Sequence, residues 1–222
     1  MAENSIKGGL WRGVRADLGA LTGFTVGGAV GALVLAQLRI GLPLRMYPWA
    51  VARASGISAY ILLVALVALG MWNNHPWGRR WPILHPAIRL RSHVMLAALV
   101  VELSVIHIIA IIADPYARAG LAGALIPGAA AYRTFPVALG TFALYAATVT
   151  VISASMAGAT FIGRWWQPLH RLAWAILILT WVHSVLAGTD TPPLRPLYAI
   201  TGLGLLVLAL ARRWSFAAAA ES

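Results

Sequence analysis

Cysteine is absent from this chain of 222 residues, and charged residues are scarce, at 10% of the total. Without cysteine there is no disulfide, no thiolate metal site, no iron–sulfur cluster and no covalently attached c-type haem. Soluble domains are about a quarter charged, whereas this chain is 60% hydrophobic and has a mean hydropathy of +0.80. The composition therefore predicts an integral membrane protein.

Acidic residues are also few, at six against 17 basic residues, and the only lysine is Lys7. The resulting net charge of +11 is explained by cytoplasmic loops and anionic lipid, because no patterned basic domain outside the apolar runs is available for nucleic acid. A strong preference for arginine, with abundant alanine and glycine, is typical of a bacterial genome of high GC content. We therefore expect a multi-pass protein of a bacterial inner membrane.

Long apolar runs predict six transmembrane helices, since a span needs about 20 apolar residues and no backbone crosses lipid unpaired. The runs are Leu18–Leu38, Trp49–Trp72, Leu90–Ala113, Phe135–Gly158, Leu169–Ala187 and Leu197–Leu210. No connection between them is long enough to fold separately. We expect an all-α, six-helix transmembrane bundle at 17–213, a cytoplasmic lead-in at 1–16 and a short cytoplasmic tail at 214–222.

The basic residues predict the orientation of the bundle. With the N-terminus inside, six of the 17 would lie outside, namely Arg39, Arg45, Arg53, Arg118, Arg133 and Arg195, and the other 11 would lie inside. Because cytoplasmic loops carry an excess of Lys and Arg, we expect both termini in the cytoplasm.

Four of the six histidines fall inside predicted spans, His93 and His107 in the third and His170 and His183 in the fifth. His93 and His107 are 14 positions apart, which places them roughly 21 Å apart along a helix and within about 40° of the same direction. His170 and His183 are 13 apart, and in an ideal helix they diverge by about 140°. Joint use of this second pair therefore needs a local distortion of the fifth helix, or ligand planes reached from different sides.

The third and fifth spans are both odd-numbered and therefore run parallel. His93 and His170 are then expected near the cytoplasmic face, and His107 and His183 near the outer face. Imidazole is a good axial ligand of haem iron, so the two pairs predict two stacked b-type haems that form an electron path through the bilayer. The alternative is that these are packed core histidines, although polar groups within spans tend to be functional. The other two histidines, His75 and His85, are each followed by proline and are expected in a loop.

The sequence contains two stretches, WAVARASGISAYILL at 49–63 and LHRLAWAILILTWVHSVLAGTD at 169–190. Together with the four histidines, these stretches resemble a known family. The chain resembles, over about residues 17–212, the ferric reductase-like transmembrane domain family. That family includes the membrane halves of NADPH oxidases and ferric reductases and the haem-binding membrane subunit of bacterial methionine sulfoxide reductase. The resemblance implies six spans with both termini in the cytoplasm. It also implies transmembrane electron transfer through haems held by His93, His170, His107 and His183.

The chain departs from the oxidases of that family in two ways. It has no glycine-rich dinucleotide fingerprint, so we expect an oxidoreductase component without a flavin or NADPH domain of its own; whether it is itself an enzyme stays open. Electrons are then expected from a cytoplasmic flavoprotein, from quinol or from a flavin carried by a partner, with an acceptor or partner subunit on the outer face. Ile111 stands where the oxidases have a further histidine, so the resemblance does not imply a superoxide-forming centre.

Charged residues near the spans suggest further roles. For Arg53 the resemblance implies pairing with the propionates of the outer haem or with the acceptor, and the alternative is snorkelling to the interface. Asp114 and Asp190 each follow an outer histidine by seven positions, where they either line an acceptor site or, as we favour, end a helix at a turn. Glu102 lies about 180° around the helix from His93 and pairs with another span or a partner, or carries protons.

Two other functions are compatible with this sequence. In the first, the chain is a haem-bearing or structural subunit of a larger membrane redox complex, and it co-purifies with other chains. In the second, it is a small proton-coupled transporter whose intramembrane histidines relay protons, and it shows no Soret absorption band.

Overall fold

The computed structural model describes residues 43–74, 85–155, 160–188 and 191–220, and every regular element in these residues is helical. Two 3₁₀ turns, Leu44–Met46 and Gly163–Trp165, accompany the α-helices. The helices are α1 (Tyr47–Asn74), α2 (Pro86–Ala113), α3 (Gly120–Leu125), α4 (Thr134–Ala154), α5 (Trp166–His170), α6 (Ala173–Ala187) and α7 (Thr191–Ala220). The all-α prediction is confirmed for the described part of the chain.

Four stretches of the described residues are long and apolar enough to cross a bilayer: Leu44–Asn73, Pro86–Ala113, Thr134–Ala154 and Thr191–Ala211. Thr160–His170 and Ala173–Ala187 meet the same test only together, as a span bent by 48°. The protein therefore has the helices of a multi-pass membrane protein. Five of the six predicted spans fall on these helices. The first predicted span, Leu18–Leu38, and the lead-in at 1–16 lie outside the described residues. The number of six spans and the cytoplasmic location of both termini therefore stay predictions.

The last helix is longer than the sequence predicted. α7 begins at Thr191 instead of Leu197, because Pro192 and Pro193 occupy the first turn, where backbone N–H groups have no helical partner. It continues to Ala220 through the region predicted as a tail at 214–222. The run of four alanines at 217–220 favours this continuation, since alanine has the highest helix propensity.

Helix α2, which carries His93 and His107, is delimited by polar side chains at both ends. His85 caps its start: Nδ1 of His85 accepts a hydrogen bond from the backbone N–H of Ala87 at 3.3 Å, and Pro86 occupies the first position. The helix ends at Asp114, whose buried carboxylate accepts hydrogen bonds from the backbone N–H groups of Tyr116 and Ala117 at 3.1 and 3.3 Å. These contacts fix where α2 begins and ends.

The fifth span is interrupted between its two histidines. Arg171 and Leu172 form a turn between α5 and α6. The Arg171 N–H is shared between Gln167 O at 3.1 Å and Pro168 O at 3.2 Å, and the Leu172 N–H bonds residue i−3, Leu169 O, at 3.1 Å. Bonds to residue i−3 wind the chain more tightly than an α-helix. The 48° bend is a local distortion of the kind that was one of the two alternatives for the spacing of His170 and His183.

The apolar core lies where α1, α6 and α7 meet. It is formed by Leu63, Val67 and Met71 of α1, Ile176 and Leu177 of α6 and Leu205 of α7, with partly buried residues such as Val100, Ala146 and Trp174 packed against it. α1 packs most extensively on α2, and α4 on α6, while α1 also packs on α6 and α7. Helix α1 thus contacts α2, α6 and α7.

Polarity is distributed as expected for a protein in lipid. Small polar residues, among them Ser55, Thr141 and Ser153, are buried between helices, whereas large apolar residues such as Ile109, Ile200 and Leu203 are exposed. Serine and threonine between transmembrane helices satisfy one another or the backbone. Thr141 does so with the carbonyl oxygens of Val137 and Ala124, at 3.2 and 3.3 Å.

Tyr60 joins α1 to α7. It is 1% exposed, its ring centre lies 5.4 Å from that of Tyr198, and its hydroxyl is 2.5 Å from the hydroxyl of Thr201. Nearby, the indole N–H of Trp181 donates to the carbonyl oxygen of Tyr198 at 3.1 Å. These contacts attach α7 to the two helices that carry most of the core.

We expect Tyr60→Phe to lower the free energy of unfolding by about 0.5–1 kcal/mol, because one interhelical hydrogen bond is lost while Thr201 keeps its bond to the carbonyl oxygen of Leu197. Reversible unfolding in mixed micelles measures this value. Thr148→Val is the matched control, since the hydroxyl of exposed Thr148 bonds only within its own helix, to Leu144 O. An equal loss in both variants would contradict the assignment.

Candidate functional site: two histidine pairs

The structure brings the four histidines of the spans together in two pairs. The ring centres of His93 and His170 are 6.1 Å apart, with their planes inclined by 55°. The ring centres of His107 and His183 are 6.3 Å apart, with an interplanar angle of 84°. This is the pairing that the sequence predicts, and it requires α2 and the fifth span to run parallel. We refer to His93 and His170 as the inner pair, and to His107 and His183 as the outer pair.

The helices that carry the outer pair do not pack closely on each other. Among the described residues, α2 packs on α1, whereas α6 packs on α4 and, less extensively, on α1. The rings of His107 and His183 nevertheless approach each other to 6.3 Å between their centres. Along α2, His93 of the inner pair and His107 of the outer pair are 14 residues apart, or roughly 21 Å. We refer to these two positions along the bundle as the inner and outer levels.

The ring separations match those of two imidazoles that bind one metal from opposite sides. With imidazole–metal bonds of roughly 2.0–2.1 Å, the two ring centres lie about 6.2–6.4 Å apart. Both pairs, at 6.1 and 6.3 Å, are close to this value.

Each pair offers only two side-chain ligands. Among the described residues, no group of three or more His, Cys, Asp or Glu side chains is placed to hold a metal ion. A structural or catalytic zinc site needs three or four protein ligands. A pair of imidazoles fits instead a metal that arrives with its own equatorial ligands, as haem iron does.

Main-chain carbonyl groups orient the outer pair. Nδ1 of His107 lies 2.6 Å from the carbonyl oxygen of Ala52, and Nδ1 of His183 lies 2.8 Å from that of Pro136. A carbonyl oxygen can only accept, so Nδ1 is the donor in both rings. In the neutral rings the remaining nitrogen, Nε2, is then the one with a free lone pair, as metal ligation requires.

The inner pair is held differently. Nδ1 of His93 and Nδ1 of His170 are buried and have no hydrogen-bond partner among the described residues. The ring of His170 stacks instead on Trp166, one turn earlier, at 5.4 Å between ring centres and 12° between planes. The inner rings are thus positioned by packing, and the outer rings by hydrogen bonds.

Three glycines face histidine rings, and sequence reasoning missed them. A Cβ added at Gly56 or Gly140 would lie 2.8 Å from Nδ1 of His107 or His183, and one added at Gly70 would lie 3.1 Å from Cε1 of His93. The signal was present in the sequence: Gly56 and Gly70 are 14 residues apart, as are His93 and His107. Because α1 packs antiparallel on α2, Gly56 lies opposite His107 and Gly70 lies opposite His93.

Arginines lie around the outer level. Arg53 directly follows Ala52 in α1, and its guanidinium carbon is 4.1 Å from the centre of the Trp49 ring. Arg133 was not singled out as a site residue, but Nη1 of Arg133 donates to the carbonyl oxygen of Leu186 at 2.5 Å. Because Leu186 lies in the last turn of α6, Arg133 caps the outer end of the helix that carries His183.

The carboxylates and loop histidines are placed as follows. The bonds of Asp114 to its own turn correspond to the favoured alternative, a polar helix end. Oε1 of Glu102 is buried without a hydrogen-bond partner in the described part of the chain. His85 is a helix cap outside both pairs, whereas His75 and Asp190 lie outside the described residues.

Comparison of the chain with models of protein families, with curated proteins and with solved structures found no match. The two histidine pairs and their surroundings are therefore the basis on which a function is assigned below.

Proposed function

We propose that this chain is a membrane cytochrome that transfers single electrons across the bilayer between two b-type haems, one at each histidine pair. The observation that carries the proposal is the repeated pairing of imidazoles, at 6.1 and 6.3 Å between ring centres, at two levels of one bundle. A haem bound between such a pair supplies reversible one-electron chemistry at its iron. His93 and His170 would hold the inner haem, and His107 and His183 the outer haem.

The surroundings of the pairs support haem better than a bare metal ion. The two helices that carry the outer pair, α2 and α6, do not pack closely on each other, and among the described residues no third His, Cys, Asp or Glu side chain joins either pair. The apolar residues of α1 and α6 surround the site with a medium of low dielectric, which excludes water and influences the potential of a bound iron. In this proposal the histidines ligate the iron, the main-chain carbonyl groups orient the outer histidines, and the apolar residues insulate the site.

The direction of transfer follows from the predicted orientation. We propose that the donor is a cytoplasmic flavoprotein or a quinol, and that an acceptor or partner subunit takes electrons at the outer face of a bacterial inner membrane. A flavin or quinone would belong to the partner. Arg53, which lies beside Ala52 at the level of the outer pair, is proposed to pair with the haem propionates. These assignments agree with the resemblance to the ferric reductase-like transmembrane domain family.

A reduced-minus-oxidised spectrum of the purified full chain, with pyridine haemochrome quantification, tests the proposal. We expect about two b-type haems per chain, one for each pair of axial ligands. A well-folded preparation, made with haem supplied during expression, that contains no haem would overturn the proposal. The intramembrane histidines would then be better explained as proton carriers in a transporter.

A further inference from the structure

Each carbonyl group that holds an outer histidine is followed four residues later by a glycine. The Ala52 carbonyl oxygen, which is the partner of His107, lies four residues before Gly56 in α1. In a helix, residue i+4 sits directly above the carbonyl group of residue i. Gly56, which has no side chain, therefore leaves this carbonyl oxygen accessible to His107.

The same arrangement recurs in a different helix. The Pro136 carbonyl oxygen, which is the partner of His183, lies four residues before Gly140 in α4. α1 packs on α2, which carries His107, and α4 packs on α6, which carries His183. Two separate helices thus present a carbonyl group followed by a glycine to the two rings of one pair.

Glycine is needed at these positions for a steric reason. The Cα–Cβ bond of a helical residue tilts toward the N-terminus, so a side chain covers the turn before its own Cα and shields the carbonyl group there. A Cβ at Gly56 would come within 2.8 Å of Nδ1 of His107, and one at Gly140 within 2.8 Å of Nδ1 of His183. Both distances are too short, so either ring would have to shift from the position in which it bonds its carbonyl oxygen.

The inner pair lacks a carbonyl hydrogen bond of this kind among the described residues. Gly70 also faces a histidine, but a Cβ there would meet Cε1 of His93 at 3.1 Å and Nδ1 at 3.7 Å. Nδ1 of His93 is buried without a hydrogen-bond partner among the described residues, as is Nδ1 of His170. A glycine opposite the ring is therefore not sufficient, and the carbonyl hydrogen bond distinguishes the outer pair.

We propose that Gly56 and Gly140 are positioning residues for the outer haem ligands: they expose the Ala52 and Pro136 carbonyl oxygens, which fix the rings of His107 and His183 with Nε2 free for iron. This inference rests on the proposed function. It implies that the two haem sites are unequal. A ligand histidine that donates its other N–H to a carbonyl oxygen is oriented and made more basic, so the outer pair binds ferric haem more tightly than the inner pair does.

The test uses the haem-loaded full chain and its variants Gly56→Ala and Gly140→Ala. We expect either variant to weaken retention of the outer haem by about 10–100-fold, the usual effect of losing such a partner of a ligand. Transfer of haem to an apomyoglobin scavenger measures retention, and the outer haem is the component that His107→Ala removes. Redox titration gives a second readout, in which the outer potential rises because a less basic ligand stabilises ferric iron less.

Gly204→Ala is the matched control, because a Cβ at Gly204 meets nothing within 4 Å. Gly56→Ala and Gly140→Ala variants that behave like this control would overturn the inference. If neither variant assembles, the wild type alone decides: we expect it to release its inner haem about 10–100-fold faster than its outer haem, and equal or reversed rates contradict the inference. A wild type without haem would instead overturn the proposed function.

Discussion

Replacing either histidine of a pair by alanine is expected to remove one haem and leave the other. His107→Ala and His183→Ala should lose the outer haem, and His93→Ala and His170→Ala the inner haem, so that the haem content falls from about two to about one per chain. The physical reason is that, in the proposed function, each pair would supply both protein ligands of one haem, since the ring centres of the partners lie 6.1 and 6.3 Å apart. Pyridine haemochrome quantification and low-temperature spectra of the four variants measure this outcome.

The grouping of the variants is the sharpest part of this prediction. His107→Ala and His183→Ala must abolish the same spectral component, and His93→Ala and His170→Ala the other. A different grouping would show that the rings are not paired as in the structure. His85→Ala is the control, because His85 caps the start of α2 outside both pairs; it should keep the haem content of the wild type.

Leu177→Ala is expected to lower the free energy of unfolding by about 1–3 kcal/mol. Leu177 is 3% exposed and lies in the core cluster with Ile176, Leu63 and Leu205. Truncation leaves a cavity between α1, α6 and α7 whose lining atoms lose their dispersion contacts. We expect less than the largest losses in water-soluble cores, because lipid is as apolar as the protein interior and the transfer contribution is small.

Reversible unfolding in mixed micelles measures the effect of Leu177→Ala. Leu203→Ala is the matched control, since Leu203 is a leucine in α7 with 64% of its surface exposed. It faces the membrane, where lipid fills the space that truncation leaves, so we expect a change within about 0.5 kcal/mol. Equal losses in the two variants would contradict the assignment of the core to the junction of α1, α6 and α7.

Much of the site could be predicted because residues along a regular helix have a fixed rise and a fixed rotation. The 14-residue spacing of His93 and His107 depends only on α2 being a regular helix, and it is one from Pro86 to Ala113. The 13-residue spacing of His170 and His183 places the two rings about 140° apart in an ideal helix, so the sequence left open a helix distortion or ligand planes reached from different sides, and it located neither. The turn at Arg171 and Leu172 depends on the packing of the segments on both sides, which local propensities do not contain.

The glycines opposite the histidines illustrate the limit of sequence reasoning. Gly56 and Gly140 look like ordinary small residues in apolar spans, and the chain contains 21 glycines in all. Their significance depends on which helix packs on which, and in what register. Only the contacts of α1 with α2 and of α4 with α6 show that these two glycines expose the carbonyl oxygens used by His107 and His183.

The sequence by itself determined the helical membrane class, the positions of the apolar spans and the four intramembrane histidines, because these follow from composition and from the fixed rise of a helix. The tertiary structure decided which rings meet, how far apart they lie and which main-chain groups hold them. Those properties depend on contacts between residues far apart in the chain. It also made the two pairs unequal: two carbonyl hydrogen bonds orient the outer pair, while the inner pair is positioned by packing.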